Sequence, residues 1–338
     1  MAHDRDVHII ISTSFPLPFI RASLHGEEKG RLAFRRVRND LGFILQKDSI
    51  EVDMAGMNEA YDRYMEGIPA YLDQERRFLT DHKVDLLLTD ISPFPFVVAK
   101  DLHIPSVGIS NFTWYTAYQG IIPDEKLQGM REAYQKMDFF LPLAGAKEPD
   151  WGRERMTPFP YFCRSVRPRE VARLRRELNP DGKKKVVYFG LGMKIDQVGL
   201  GSLPLWDSEG TIFVVSSNTQ VHHPHVIRIP DGYTETQHYI AVSDLVISKA
   251  GWGTVAEAVQ TRRPLLLIDR PHMMEDQNTI RHLSSLNRAM VITEEELKHL
   301  MIDTEIMEKG RNQVLNIDPI PPSEEVIDGV IREMMIVV

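Results

Sequence analysis

Short, unbroken apolar runs punctuate the chain, separated by stretches in which apolar residues recur every three or four positions. Continuous β-branched and aliphatic runs suit strands buried on both faces, and the intervening rhythm is that of helices packed against them. In the first half, Val7-His-Ile-Ile-Ile11, Val84-Asp-Leu-Leu-Leu-Thr-Asp90 and Ile104-Pro-Ser-Val-Gly-Ile109 predict strands. Asn58 to Asp81 carries Tyr61, Tyr64, Met65, Ile68 and Leu72 at helical spacing and is predicted mostly helical, with a shorter helix over Phe94 to Leu102. The second half restarts the pattern with Val186-Val-Tyr-Phe189. Thr211 to Val215, Val226 to Ile229, Asp244 to Ser248, Leu265 to Ile268 and Ala289 to Ile292 follow as strands, with helices between most of them. Strand, helix and strand at this spacing make parallel βαβ units, so the pattern predicts an α/β protein with two such sheets.

Between the two sets of strands the character changes. Pro142, Pro149, Pro158, Pro160, Pro168 and Pro180 recur from Leu141 to Lys185, which suits a linker between domains. We place the boundary so that residues 1–163 form one domain and 164–338 the other, with the last helix packing back on the first. Arg164 to Lys185 holds nine Lys or Arg against three Asp or Glu. This reads as a solvated linker helix in preference to a contact with an anionic membrane.

A length of 338 residues accommodates two cores. The net charge of −8 argues against general nucleic-acid binding. One cysteine, Cys163, excludes an intrachain disulfide framework and a cysteine-clustered metal site, and makes a reducing compartment the default. No run of 18 apolar residues is present and the first residues are too polar for a signal peptide, so a cytoplasmic location is expected.

The chemistry concentrates in Ser248-Lys-Ala-Gly-Trp-Gly-Thr-Val-Ala-Glu257, followed by Pro264-Leu-Leu-Leu-Ile-Asp269 and Glu275-Asp-Gln-Asn278. A β-branched strand runs into a glycine-bearing turn that opens a short helix. Backbone N–H groups and the helix dipole at such a junction favour an anion, so this is a candidate phosphate site. Thr254-x-x-Glu257 is also a capping-box pattern, in which Thr254 would be the N-cap. Asp276 would be a favourable first-turn charge on a solvent-facing helix start. His222, His223 and His225 suggest a metal cluster, but Pro224 interrupts their spacing and no carboxylate supports them; a solvated loop is expected. His272 and His282 flank the motif without a clear role.

Lys249-Ala-Gly-Trp-Gly-Thr254, Glu257, Pro264 and Asp276-Gln277 together resemble the donor-binding domain of GT-B glycosyltransferases. The likeness covers about Gly232 to Leu283 and is to the family 28 C-terminal domain and to the UDP-glycosyltransferases. The resemblance implies two Rossmann-like domains facing a cleft and a hexosyltransferase that takes a nucleotide-diphosphate sugar, UDP-linked, as substrate. No separate cofactor is implied. No Asp-x-Asp motif occurs within Gly232 to Leu283, consistent with metal independence. By the same resemblance Lys249, Gly251, Gly253 and Thr254 would hold the donor phosphates, Glu257 the ribose, and Asp276 and Gln277 the donor sugar. Gly190-Leu-Gly-Met-Lys194 would supply a second phosphate loop, and Arg228 to Tyr233 lies where the nucleobase pocket would be. Trp252 matches the plant-type pattern or simply packs under the loop. Asn111-Phe-Thr-Trp114, just past a strand, resembles a segment in the glycosyltransferase-like half of arabinokinase-type proteins.

The first half departs from the pattern. Relatives open with a strand, a glycine-rich loop often carrying histidine, and a helix; here Val7 to Ile11 looks like their second strand. The first domain is therefore expected to lack its first strand–loop–helix, through truncation, remodelling of the acceptor side or loss of catalysis. No catalytic base is assigned. Asp90, at a strand end, is a candidate if burial raises its pKa, and otherwise a cap before Ser92-Pro93; His8 and His25 are no better placed. The readings that remain are a glycosyltransferase with an unknown acceptor, a nucleotide-sugar-binding module or regulatory subunit without turnover, and a sugar-nucleotide epimerase on the same fold.

Overall fold

The computed structural model describes residues 7–14, 16–24, 30–47, 49–153, 156–192, 199–315 and 320–336. His25, together with Met193 and Lys194 of the expected second phosphate loop, lies outside the described residues. In the second half β6 (Lys185–Gly190), β7 (Thr211–Val215), β8 (Val226–Arg228), β9 (Leu245–Lys249), β10 (Leu265–Ile268) and β11 (Met290–Ile292) form one parallel sheet in the order β11-β10-β9-β6-β7-β8. This is the doubly wound order in which the first strand sits at the centre. Alternation explains the apolar runs. Val186, Tyr188, Val246, Leu265 and Leu267 face one core, while Val187, Phe189, Leu245, Ile247, Leu266 and Ile268 face the other.

The first half holds two separate parallel sheets. β1 (Ile9–Thr13) pairs with β2 (Leu32–Arg36), and β3 (Leu87–Thr89), β4 (Ser106–Ser110) and β5 (Phe139–Pro142) pair in that order. Among the described residues no strand joins β1 to β3. Ile9, Ile10 and Ile11 are only half-buried, and Leu88 is 41% exposed, unusual for apolar residues of a doubly covered parallel sheet.

The stretch from Asn58 to Asp81 is mostly helical, as expected, in two helices, Met54–Glu66 and Ile68–Asp81, divided at Gly67 where Pro69 sits in the first turn of the second. Other expectations need correction. Leu141 and Pro142 belong to β5 and not to a linker. The linker helix, Pro168–Leu178, is not simply solvated. Leu174 and Leu178 are buried in the core that also holds Val186 and Tyr239, while Arg173 bridges Glu170 and Glu177 on its outer side. Val330 and Met334 of the last helix, Ser323–Ile336, pack with Val107 and Leu141 of the first half.

Candidate active site

At the middle of the six-stranded sheet β6 ends at Gly190 and β9 at Lys249, and the Ser248 hydroxyl donates to the Gly190 carbonyl at 2.7 Å. The chain leaves β6 toward β7 and leaves β9 toward β10, so a crevice opens where the winding reverses. Lys249 lies across Gly192, whose φ of +89° and closeness to the lysine demand glycine: a Cβ there would stand 2.9 Å from Lys249 Cε. Burial, then the nearby Arg270, lowers the pKa of the Lys249 ammonium, with Asp276 and Glu275 opposing.

The helix Trp252–Gln260 begins at Gly251, and no side chain caps it. The expected capping box does not form, because Thr254 and Glu257 both lie inside the helix. Its first-turn N–H groups are therefore left for another acceptor. Among the described residues a Cβ on Gly253 would meet nothing within 4 Å, so they leave the space beside this turn open. Trp252 fastens the helix to chain arriving from the first half. Its Nε1 donates to the Ala144 carbonyl at 3.0 Å, and its ring lies 5.6 Å from Tyr161 and 5.2 Å from Phe162. Glu257 is largely buried and 3.6 Å from Arg164. Burial pushes its carboxyl up to about 7, against the pull of Arg164.

After β10 the chain forms a buried polar cluster. Asp276 is fully buried, so the solvent-facing reading of its helix start is wrong. One of its oxygens accepts from Arg270 Nε at 2.6 Å and the other has no partner. Gln277 Nε2 donates to Asp269 at 2.5 Å and to the Arg270 carbonyl at 3.3 Å. Burial and Asp276 push the neighbouring Glu275 up to about 7, with Lys249 and Arg270 pulling it down. The side-chain amide of Asn278 is buried with neither atom partnered. Sequence reasoning missed Arg270; a charged pair directly after an all-apolar strand was the available signal.

The first half meets this cluster. Met273 packs among Trp114, Tyr118, Phe140 and Trp151. Asp90 follows β3, and the protein around it desolvates its carboxyl although the residue keeps solvent-accessible surface. That desolvation pushes its carboxyl up to about 6, with a hydrogen bond from Ser110 opposing and Asp40 adding to the rise. It caps no helix: the helix Pro95–Asp101 starts from Phe94 without a side-chain cap. Asn111 to Trp114 is held by Glu148, which accepts from Thr113 N (3.1 Å), Thr113 Oγ1 (2.6 Å), Thr116 Oγ1 (2.8 Å) and Trp151 Nε1 (2.9 Å). Glu148 was also missed, since Thr113 and Thr116, which it holds, are 35 and 32 residues away in sequence.

Residues 215–316 match the glycosyltransferase family 28 C-terminal domain. The solved structures that share the whole architecture include the glycosyltransferase SnogD of Streptomyces nogalater (TM-score 0.55, 15% identity, 98% of this chain and 100% of that one). Arabidopsis thaliana UGT89C1, solved with quercetin, gives a TM-score of 0.57 at 14% identity over 98% of this chain and 92% of that one. The fold is GT-B, with a family 28 C-terminal domain. An L-arabinokinase of Arabidopsis thaliana is 26% identical over 295 residues, which are 82% of this chain. The chain spans 26%, about a quarter, of that relative's length.

Tyr233 donates to Glu170 at 3.0 Å and meets His238, so it is tied to the helix Pro168–Leu178, while Pro230, Asp231 and Gly232 are exposed. The three clustered histidines have diverging partners. His223 pairs with Asp207 at 3.2 Å, His225 with the Trp206 carbonyl at 3.1 Å, and His222 is exposed. His272 is exposed; the His282 ring lies 5.9 Å from Tyr161, and burial and Arg288 lower its pKa. His8 is exposed on the chain entering β1. Among the described residues no helix is long and apolar enough to cross a membrane.

Proposed function

We propose that the protein transfers a hexosyl group from a nucleoside-diphosphate sugar, UDP-linked, to an acceptor hydroxyl. The observation that carries this reading is the uncapped start of the helix Trp252–Gln260, which sits at the winding reversal with Lys249 beside it and Glu257 farther along the same helix. In this reading Gly251, Gly253 and Thr254 offer N–H groups and a hydroxyl to the diphosphate. Lys249 and the helix dipole offset the charge that grows on the leaving nucleotide. Glu257 accepts from the ribose hydroxyls, since a carboxylate offers only acceptors to two adjacent donors. In this reading Gln277 contacts the donor sugar, with the buried Asp276–Arg270 pair behind it. Residues 164–338 form the donor side and 1–163 the acceptor side, where Asp90 is the candidate base.

A binding module without turnover is the second reading. It is favoured by the split, among the described residues, between β1–β2 and β3–β4–β5 on the proposed acceptor side.

Thermal-shift titration with UDP, UDP-GlcNAc, UDP-glucose and GDP-sugars tests the donor site. A ligand at a hundred times its Kd stabilises by about 2.7 kcal/mol. One nucleotide should raise the Tm, and Glu257→Ala should abolish that rise. No rise with any of them overturns the donor reading. Release of the nucleoside diphosphate in the presence of hydroxyl acceptors then separates transferase from module.

A further inference from the structure

The chain passing between the two halves forms a strap that is tied down on either side of Arg164. Cys163 N donates to Ser323 Oγ at 3.0 Å, the Ser165 carbonyl accepts from Gln237 Nε2 at 3.3 Å, and Arg167 N donates to His238 Nε2 at 3.2 Å. The first bond ties the chain before Arg164 to the start of the last helix, and the other two tie the chain after it to the start of the helix Gln237–Val242. From there the guanidinium divides between two carboxylates, Nη1 at 3.2 Å from Glu235 and Nη2 at 3.6 Å from Glu257. Neither contact is the tight, two-pronged pair that arginine makes when it has one partner to itself.

We propose that Arg164 is a positioning residue that holds Glu257 in its charged, acceptor-only form, so that the site discriminates ribose from deoxyribose. This rests on the reading of Glu257 as the ribose acid. The physical reasoning follows from what surrounds that carboxylate. Arg164 from the strap is the cation against it. Glu235 and the Thr236 hydroxyl face it from the loop before the helix Gln237–Val242, Tyr188 from β6, and Cys163 from the strap. Burial and Glu235 favour the protonated acid; Arg164 and Thr236 favour the carboxylate. A protonated acid would present a donor to one ribose hydroxyl and lose an acceptor, whereas the carboxylate accepts from both. A hydrogen bond from the 2′-hydroxyl to a charged acceptor is strong enough to show as selectivity, and it is absent from a 2′-deoxynucleotide.

The test is calorimetric binding of UDP against 2′-deoxyUDP, and GDP against 2′-deoxyGDP, between pH 5.5 and 8.5. The ratio within each pair cancels the titration of the diphosphate itself. The parent protein should favour the ribonucleotide by about tenfold or more, with the preference growing as pH rises and Glu257 loses its proton. Arg164→Gln should bring the ratio to within about twofold at neutral pH and move the midpoint of its pH dependence upward. Arg164→Lys should restore most of the preference. Glu235→Gln, which frees Arg164 for Glu257 and removes a competing charge, should move the midpoint downward and tests the same idea if Arg164→Gln folds poorly. A parent protein that discriminates while Arg164→Gln retains both ratio and midpoint overturns the role of Arg164 alone. A parent protein that binds both members of a pair equally overturns the ribose reading of Glu257, and the inference with it. Absence of binding by all four nucleotides overturns the donor site as a whole.

Discussion

Asp276 is fully buried, spends one oxygen on Arg270 and leaves the other unmatched. Removing one member of a buried ion pair strands the other, which costs about 3–5 kcal/mol. Asp276→Ala should lose stability on that scale in urea denaturation, because the Arg270 guanidinium, 3% exposed, has no route to water. A loss below about 1 kcal/mol would mean that Arg270 finds Glu275, 3.7 Å away, as a full replacement. Lys249 and the Gly251–Glu257 segment were legible at this scale because several unusual residue types coincide over a few positions. Arg164 and Glu148 were not legible. Glu257 and Thr113 lie far from them along the chain, and only the folded crossover brings guanidinium to the one or carboxylate to the other.

The same four-residue pattern at two helix starts shows what an element adds to its sequence. Thr293-x-x-Glu296 forms a true capping box: Thr293 Oγ1 accepts from Glu296 N, and Glu296 accepts from Thr293 N. Thr254-x-x-Glu257 does not, since the helix has already begun at Trp252. The difference lies in where the backbone turns helical, which side-chain pattern alone does not determine. Thr293→Ala should therefore cost about 1 kcal/mol, and Thr254→Ala should cost no capping energy while weakening nucleotide binding. Equal losses from the two substitutions in denaturant titrations, with nucleotide affinity unmoved in Thr254→Ala, would return Thr254 to a structural role. The inner strands β6, β7, β9 and β10 were legible because each is apolar on both faces. β5 was hidden by Pro142 at its end and by the prolines after it, which read together as linker.

In the proposed function the two halves of the molecule divide the chemistry, and residues 1–163 were the harder to read. Its strands are short, its two sheets are unjoined among the described residues, and Asp90 gains its character only from the protein built around it. A general base must be unprotonated to work, so a carboxyl pushed up to about 6 makes the rate rise with pH through that region and level off above it. Transfer measured as nucleoside-diphosphate release at saturating donor should show this acid limb. Asp90→Asn should lower the rate about a hundredfold or more and abolish the limb, leaving nucleotide affinity unchanged because Asp90 belongs to the half opposite the donor crevice. A variant that keeps the parent rate and the same limb would remove Asp90 from the reaction. An unchanged limb with a lowered rate would point instead to Glu257 or Glu275, each pushed up to about 7. Those two groups sit in the donor half, so their protonation should also alter nucleotide binding. The pH dependence of affinity, measured beside that of turnover, thus assigns the limb to one side of the cleft.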